Sequence, residues 1–283
     1  MPEFDDKRLT LPEGVDGTPM QVSAGTAAIH EAPDAASQMV TQALHGEALM
    51  AGQERGGFVR VQLERDRYVG WALKEAVASS VLAPTHKVSA LRTYVYSEPD
   101  LKSAPQLIVS LGSRLRITGQ EGRFLKSERG GWLPEQHVAA LDAYETDPAG
   151  VAELYLHAPY LWGGCDSLGI DCTGLMRAAF LACGIILPRD SDMQYAWCGE
   201  AIGEWRKPGA LQRSDLVFWK GHVGIMLDGD IFLHANAHHM AVAKEPLAGA
   251  IERIAKIYGE PIGARRIDLV SGKADTPAWL KAG

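Results

Sequence analysis

Gly169-Ile170-Asp171-Cys172-Thr173-Gly174-Leu175-Met176 is the stretch on which the reading turns. Beyond Cys172 the apolar residues Leu175, Met176, Ala179, Phe180 and Cys183 recur at helical spacing, and Gly184 and Pro188 end the segment. Asp171 is a favourable N-cap type, which predicts a helix with Cys172 in its first turn. A thiol in that position lies among unsatisfied amide N–H groups at the positive end of the helix dipole, an arrangement that favours thiolate. Two of those amides can also receive a developing oxyanion. Read structurally, Cys172 is one of four small apolar cysteines, with Cys165, Cys183 and Cys198. The helix alone leaves both readings open.

Downstream, His222-Val223-Gly224-Ile225-Met226-Leu227 and Ile231-Phe232-Leu233-His234-Ala235-Asn236 flank Asp228-Gly229-Asp230. A three-residue loop pairs Leu227 with Ile231, Gly224 with His234 and His222 with Asn236. Val223, Ile225, Leu227, Ile231 and Leu233 then share one apolar face, and the two histidines share the other. A two-residue loop would place the histidines on opposite faces. With the first register, Cys172, His222 and His234 are candidates for nucleophile, general base and the group that fixes the base's tautomer. A zinc site built from the same three residues is the competing use, but no fourth ligand follows at a usual spacing.

The first 145 residues have another texture: short alternating runs such as Gly57-Phe58-Val59-Arg60-Val61-Gln62-Leu63, broken by Gly, Pro and charged pairs. That pattern predicts small antiparallel β domains. There is an internal repeat. Val22-Ser23-Ala24 matches Val88-Ser89-Ala90, Ala32-Pro33-Asp34 matches Glu98-Pro99-Asp100, Leu44-His45-Gly46 answers Ser110-Leu111-Gly112, and Gly70-Trp71-Ala72-Leu73 answers Gly130-Gly131-Trp132-Leu133. Two tandem copies of one fold explain this order. Boundaries near Pro84-Thr85 and Asp147-Pro148-Ala149-Gly150 divide the chain into 15–83, 84–145 and 146–270. In the last segment the pattern becomes α+β, with a short helix over Val151 to His157, the Cys172 helix, and strands at Leu216–Trp219, His222–Asp228 and Ile231–Asn236.

Composition narrows the function classes. The chain has 283 residues, 46% hydrophobic and 22% charged, with 28 basic against 35 acidic side chains for a net charge of −7. An acidic protein gains nothing from a polyanion, so nucleic acid is not expected as a partner. No run of about 18 apolar residues argues for a membrane span. The opening Met1-Pro2-Glu3-Phe4-Asp5-Asp6-Lys7 lacks the basic and apolar regions of a secretory signal, which gives a cytoplasmic expectation. The cysteines form no Cys-x-x-Cys pair and are expected to be free thiols. Trp71, Trp132, Trp205 and Trp219 are expected in packing.

Five segments in order carry a resemblance: Pro159-Tyr160-Leu161-Trp162-Gly163-Gly164, Gly169 to Gly174, Leu187-Pro188-Arg189-Asp190-Ser191 with Gln194, Gly221-His222-Val223-Gly224-Ile225, and His234-Ala235. Together they resemble the NlpC-type papain-like cysteine peptidases of the bacterial cell wall, over about residues 148–270. Thr173 departs from the commoner Ser of that family. The two N-terminal copies, each with a Gly-Trp near its end, resemble bacterial SH3-like barrels. The resemblance implies an α+β chain, a papain-like peptidase domain behind two SH3-like barrels. It also implies hydrolysis of the γ-D-glutamyl–diaminopimelate bond in free-amine murein peptides such as L-Ala-γ-D-Glu-diaminopimelate, in cell-wall recycling, with no metal or organic cofactor.

By the same resemblance Cys172 is the nucleophile, His222 the general base and His234 the orienting third member. Tyr160 and Trp162 lie in the Tyr-x-Trp-Gly-Gly motif, with the Tyr160 hydroxyl on the oxyanion or substrate. Asp171 is expected to hold the terminal α-amine, Arg189 and Ser191 to line the groove, and Glu47 and Tyr68 of the first barrel to wall the cleft. Two other classes compete: a non-catalytic wall-fragment binding protein, and an amidase or acyltransferase on the same frame.

Overall fold

The computed structural model describes residues 6–11, 17–270 and 276–281. The expected start of the first barrel at residue 15, and Met1 to Asp5 of the opening stretch, lie outside the described residues. The chain divides into two compact units, one ending at Ala143 and the other beginning at Tyr144.

In the N-terminal unit alternation becomes sheet. Phe58–Leu63 buries Phe58, Val59, Val61 and Leu63 while Arg60 and Gln62 stay partly exposed. It is the middle member of a seven-stranded antiparallel sheet with Met39–Leu44, Thr26–His30 and Val69–Leu73 on one side and Ala48–Arg55, Thr18–Val22 and Val77–Ala78 on the other. Val22, Ile29, Leu49, Val61 and Leu63 fill its core. A second set of strands between His86 and Ala140 forms a five-stranded and a three-stranded sheet around Val88, Val95, Val109, Leu115 and Leu133.

The repeat read in the sequence is a repeat of hydrogen bonds. Val22 N–H donates to Glu47 O and Gly46 N–H to Val22 O; 66 residues on, Val88 N–H donates to Ser113 O and Gly112 N–H to Val88 O. The loop at Ala32-Pro33-Asp34 follows suit, with Asp34 N–H to Ala32 O and Ser37 N–H to Asp34 O matched by Asp100 N–H to Glu98 O and Ser103 N–H to Asp100 O. The two copies are joined through Arg129, whose guanidinium donates to Gln21 Oε1 and to Ser80 O, each at 2.8 Å. At the same joint Arg114 N–H donates to His45 O at 2.8 Å. Gly46 has φ +76° there, and a Cβ on it would stand 1.9 Å from Arg114 O, so the approach requires glycine.

The second unit is built on a six-stranded antiparallel sheet in the order Glu200–Ala201, Gly263–Arg266, Leu216–Trp219, His222–Met226, Ile231–Asn236, Ala241–Pro246. Its helices among the described residues are α1 (Pro148–Glu153), α2 (Cys172–Ala182), α3 (Ser191–Trp197), α4 (Leu247–Tyr258) and α5 (Ala278–Lys281). Leu247, Ala250 and Ile254 of α4 pack on Val217, Trp219, Met226, Phe232 and Ala264. Against the strands that carry His222 and His234 packs α2, its Leu175, Met176, Ala179 and Phe180 fully buried.

Element boundaries shift for local reasons. The first helix begins at Pro148 rather than Val151, because proline at N1 costs no hydrogen bond, and it stops well before His157, which has φ +70°. The His222 strand ends at Met226, since Asp228 Oδ1 turns the chain by accepting from the backbone N–H groups of Asp230 and Ile231. The strand Ala241–Pro246 and helix α4 are absent from the sequence reading.

Candidate active site

The helix start forms as its sequence requires. Asp171 is the N-cap of α2 in extended conformation, and its Oδ1 accepts from Gly174 N–H at 2.7 Å and from Thr173 Oγ1 at 3.0 Å. This leaves Cys172 as the first helical residue, 8% exposed. Its sulfur is reached by the backbone N–H of Val223, the residue after His222, and by that of Thr173. Burial, and then the neighbouring Asp171 carboxylate, push the thiol up to about 12 against those donors.

The hairpin takes the register of the three-residue loop. Ile225 pairs with Leu233, Met226 with Phe232, and Leu227 N–H donates to Ile231 O at 2.8 Å. The two histidines meet on one face, with His222 Nε2 and His234 Nδ1 2.8 Å apart. Gly224 lies opposite His234, and a Cβ on it would come within 2.3 Å of the Phe232 ring and 2.8 Å of His234 Cβ. His234 is fully buried, and burial drives the imidazole of His222 down to about 3, helped by His234 and Arg253. His222 also contacts the Trp219 ring, with centroids 5.8 Å apart.

The network continues past the expected residues. His234 Nε2 lies 2.8 Å from Glu245 Oε1, which also accepts from Arg253 of α4. Burial raises the Glu245 carboxyl, but the hydrogen bonds from His234 and Arg253 outweigh it and hold it at about 2. Neither residue was singled out from sequence. The available signals were the alternation of Ala241 to Pro246 and the Leu247, Ala250, Ile254 spacing, which place Glu245 opposite Phe232 and Arg253 on the helix that follows.

The expected substrate residues divide. Tyr160 is half-buried beside Cys172, Asp171 and Arg189, and burial raises its hydroxyl, which therefore stays a donor. Trp162 is 59% exposed. Asp171 calls for a correction: its Oδ2 accepts from Gly163 N–H at 2.9 Å, both oxygens accept from Arg189, and the residue is 5% exposed. A carboxylate saturated in this way has no place for a substrate amine. Arg189 is likewise buried on Asp171 and Thr173 rather than lining an open groove. Ser191 is buried as the first residue of α3. Glu47 and Tyr68 belong to the other unit, where Glu47 pairs with Arg65 and Tyr68 N–H donates to Asp66 Oδ1 at 3.1 Å.

Among the described residues the group with metal-ligand spacing is His234, His239 and Glu245, without Cys172 or His222. The Arg253 guanidinium on Glu245 opposes a cation there. All four cysteines are buried.

Comparison with known proteins assigns the domains. The NlpC/P60 family pattern matches residues 157–255, and the bacterial dipeptidyl-peptidase SH3 domain matches 29–77. Residues 157–255 form an NlpC/P60 domain. A chain that carries an NlpC/P60 domain behind such an SH3 domain is similar to dipeptidyl-peptidase 6 of Lysinibacillus sphaericus, 27% identical over 76% of this chain and 86% of that one. It is also similar to the γ-D-glutamyl-L-lysine dipeptidyl-peptidase of Bacillus cereus, 25% identical over 82% and 76%. The crystal structure of an NlpC/P60 family protein from Bacillus cereus shares the fold, with a TM-score of 0.73 at 21% identity over 88% of this chain and 99% of that one. The α+β fold with a papain-like NlpC/P60 domain, and the class of cysteine peptidase, agree with expectation. No helix among the described residues is long and apolar enough to cross a membrane.

Proposed function

We propose that this protein is a cysteine endopeptidase that hydrolyses the γ-D-glutamyl–diaminopimelate bond of free-amine murein peptides during cell-wall recycling. The observation that carries the reading is the hydrogen-bonded His222–His234 pair, on a hairpin whose Val223 N–H reaches the sulfur at the start of α2. In this mechanism His222 takes the thiol proton as Cys172 Sγ attacks the γ-carbonyl. The C–N bond then breaks, and the same proton passes to the leaving amine. Water adds to the thioester and gives its proton to His222; the C–S bond then breaks, the proton returns to Cys172 Sγ, and the γ-carboxyl peptide leaves. The Cys172 backbone N–H and the Tyr160 hydroxyl face the oxyanion, and Trp162 offers an exposed wall for the peptide. The names of the relatives support the bond, although two of them specify lysine as the third residue.

The deciding assay incubates L-Ala-γ-D-Glu-diaminopimelate, and its lysine counterpart, with the protein and with Cys172→Ala. Release of diaminopimelate by the unaltered protein and its loss by about 10³-fold or more in the variant is the expected result. Equal release by both, or none by either, discards the reading, and release of lysine alone reassigns the third residue.

A further inference from the structure

Glu245 stands one hydrogen bond beyond the imidazole pair, on the strand next to His234, and Arg253 holds it from α4. The geometry points to Glu245 as a positioning residue: its carboxylate fixes the tautomer of His234 and through it that of His222, so that His222 Nδ1 carries the lone pair that accepts the Cys172 proton. This rests on the peptidase reading above.

Counting hydrogens along the chain of rings fixes each tautomer. A neutral imidazole has one N–H and one lone pair, and a carboxylate only accepts. The 2.8 Å contact with Glu245 therefore takes the hydrogen of His234 on Nε2. His234 Nδ1 is then an acceptor, and its 2.8 Å contact takes the hydrogen of His222 on Nε2. Only Nδ1 of His222 is left to accept. During attack the S–H bond breaks and an N–H bond forms at that atom, while both Nε2 hydrogens stay where they are.

A partner that donates to His234 reverses the chain. His234 then donates from Nδ1, His222 accepts at Nε2, and the hydrogen on its Nδ1 blocks the transfer. Reversal needs a proton or a cation at Glu245. The charged and titratable groups around it are His234, Arg253, His239 and, one ring further, His222. Arg253 shares the Oε1 oxygen with His234 and keeps the carboxylate ionised. A metal on His234, His239 and Glu245 would take the His234 Nε2 lone pair and impose the reversed chain.

Nitrogen-15 NMR of the imidazoles reads the tautomers without any substrate, beside steady-state kinetics of Glu245→Leu, which removes the acceptor. In the unaltered protein both histidines are expected to bear hydrogen on Nε2. In Glu245→Leu, kcat is expected to fall about 10–100-fold with KM within about twofold, and alkylation of Cys172 to slow by a similar factor, as when the outer partner of a functional imidazole is lost. A His222 with hydrogen on Nδ1 in the unaltered protein overturns the proposal whether or not the variant folds. An unchanged kcat in a folded variant overturns it too. Tautomers as stated with slowed alkylation, but no peptide hydrolysis by the unaltered protein, uphold the role of Glu245 and discard the substrate instead.

Discussion

Cys172 and His222 meet opposite electrostatic pressures. Burial and Asp171 hold the thiol at about 12, and burial, His234 and Arg253 hold the imidazole at about 3. Across neutral pH the resting pair is thiol and neutral imidazole, so proton transfer accompanies attack instead of preceding it. Alkylation of Cys172 in the absence of substrate is therefore expected to show no sigmoid or bell between about pH 5 and about pH 8, because neither partner has its midpoint in that interval. Mass-spectrometric rates for each cysteine check this. A sigmoid or bell at Cys172 with its midpoint inside that interval shows that the pair changes charge there and refutes the neutral ground state.

Elements translate that chemistry into sequence requirements. Gly224 faces His234 across the hairpin, and the room a Cβ would need is filled by the Phe232 ring and His234 Cβ. Gly224→Ala is expected to cost about 1–3 kcal/mol and to displace the His234 ring, lowering kcat more than it raises KM. Chemical denaturation and kinetics on the same sample test both halves. The hairpin also shows why some of the site was legible. Asp228-Gly229-Asp230 and the alternation on either side fix the register, and the register alone brings His222 and His234 together. The N-cap of α2 was equally readable, since an Asx residue before a periodic apolar run has one local outcome. The fate of Asp171 was not. Its carboxylate is claimed by Gly163, eight residues earlier, and by Arg189, 18 residues later, contacts that no local pattern announces. Glu245 and Arg253 were hidden for the same reason: their roles exist only once the Ala241–Pro246 strand pairs and α4 folds back over it.

Taken as a whole molecule, the protein stores its acid sensitivity in buried imidazoles. Burial lowers His45, His222 and His234, and in the unfolded chain each returns to about 6.5. Because the unfolded chain then binds protons that the folded one refuses, stability is full above about pH 6.5 and falls as pH drops from there towards 3. Each such group removes up to about 1.4 kcal/mol per pH unit within its interval. Glu245, held at about 2 against an ordinary 4.5, adds a loss of the same sign below about pH 4.5. The melting temperature is expected to be level from about pH 8 to about 6.5 and to decline steadily below. Calorimetry in a pH series is the check. Replacing His234 by Asn is expected to flatten part of the decline, and an unchanged slope in that variant would assign the acid loss elsewhere.

Arg189 gives α2 a property that neither of its ends has alone. The guanidinium comes from the segment that leaves the helix and grips the carboxylate that begins it, so residues 171 to 189 close on themselves like a buckled strap. Neither end can fray without opening the buckle, and opening it strands a buried charge, at a cost of about 3–5 kcal/mol. The sulfur at the head of this helix is thus carried on a loop that yields as one piece or not at all.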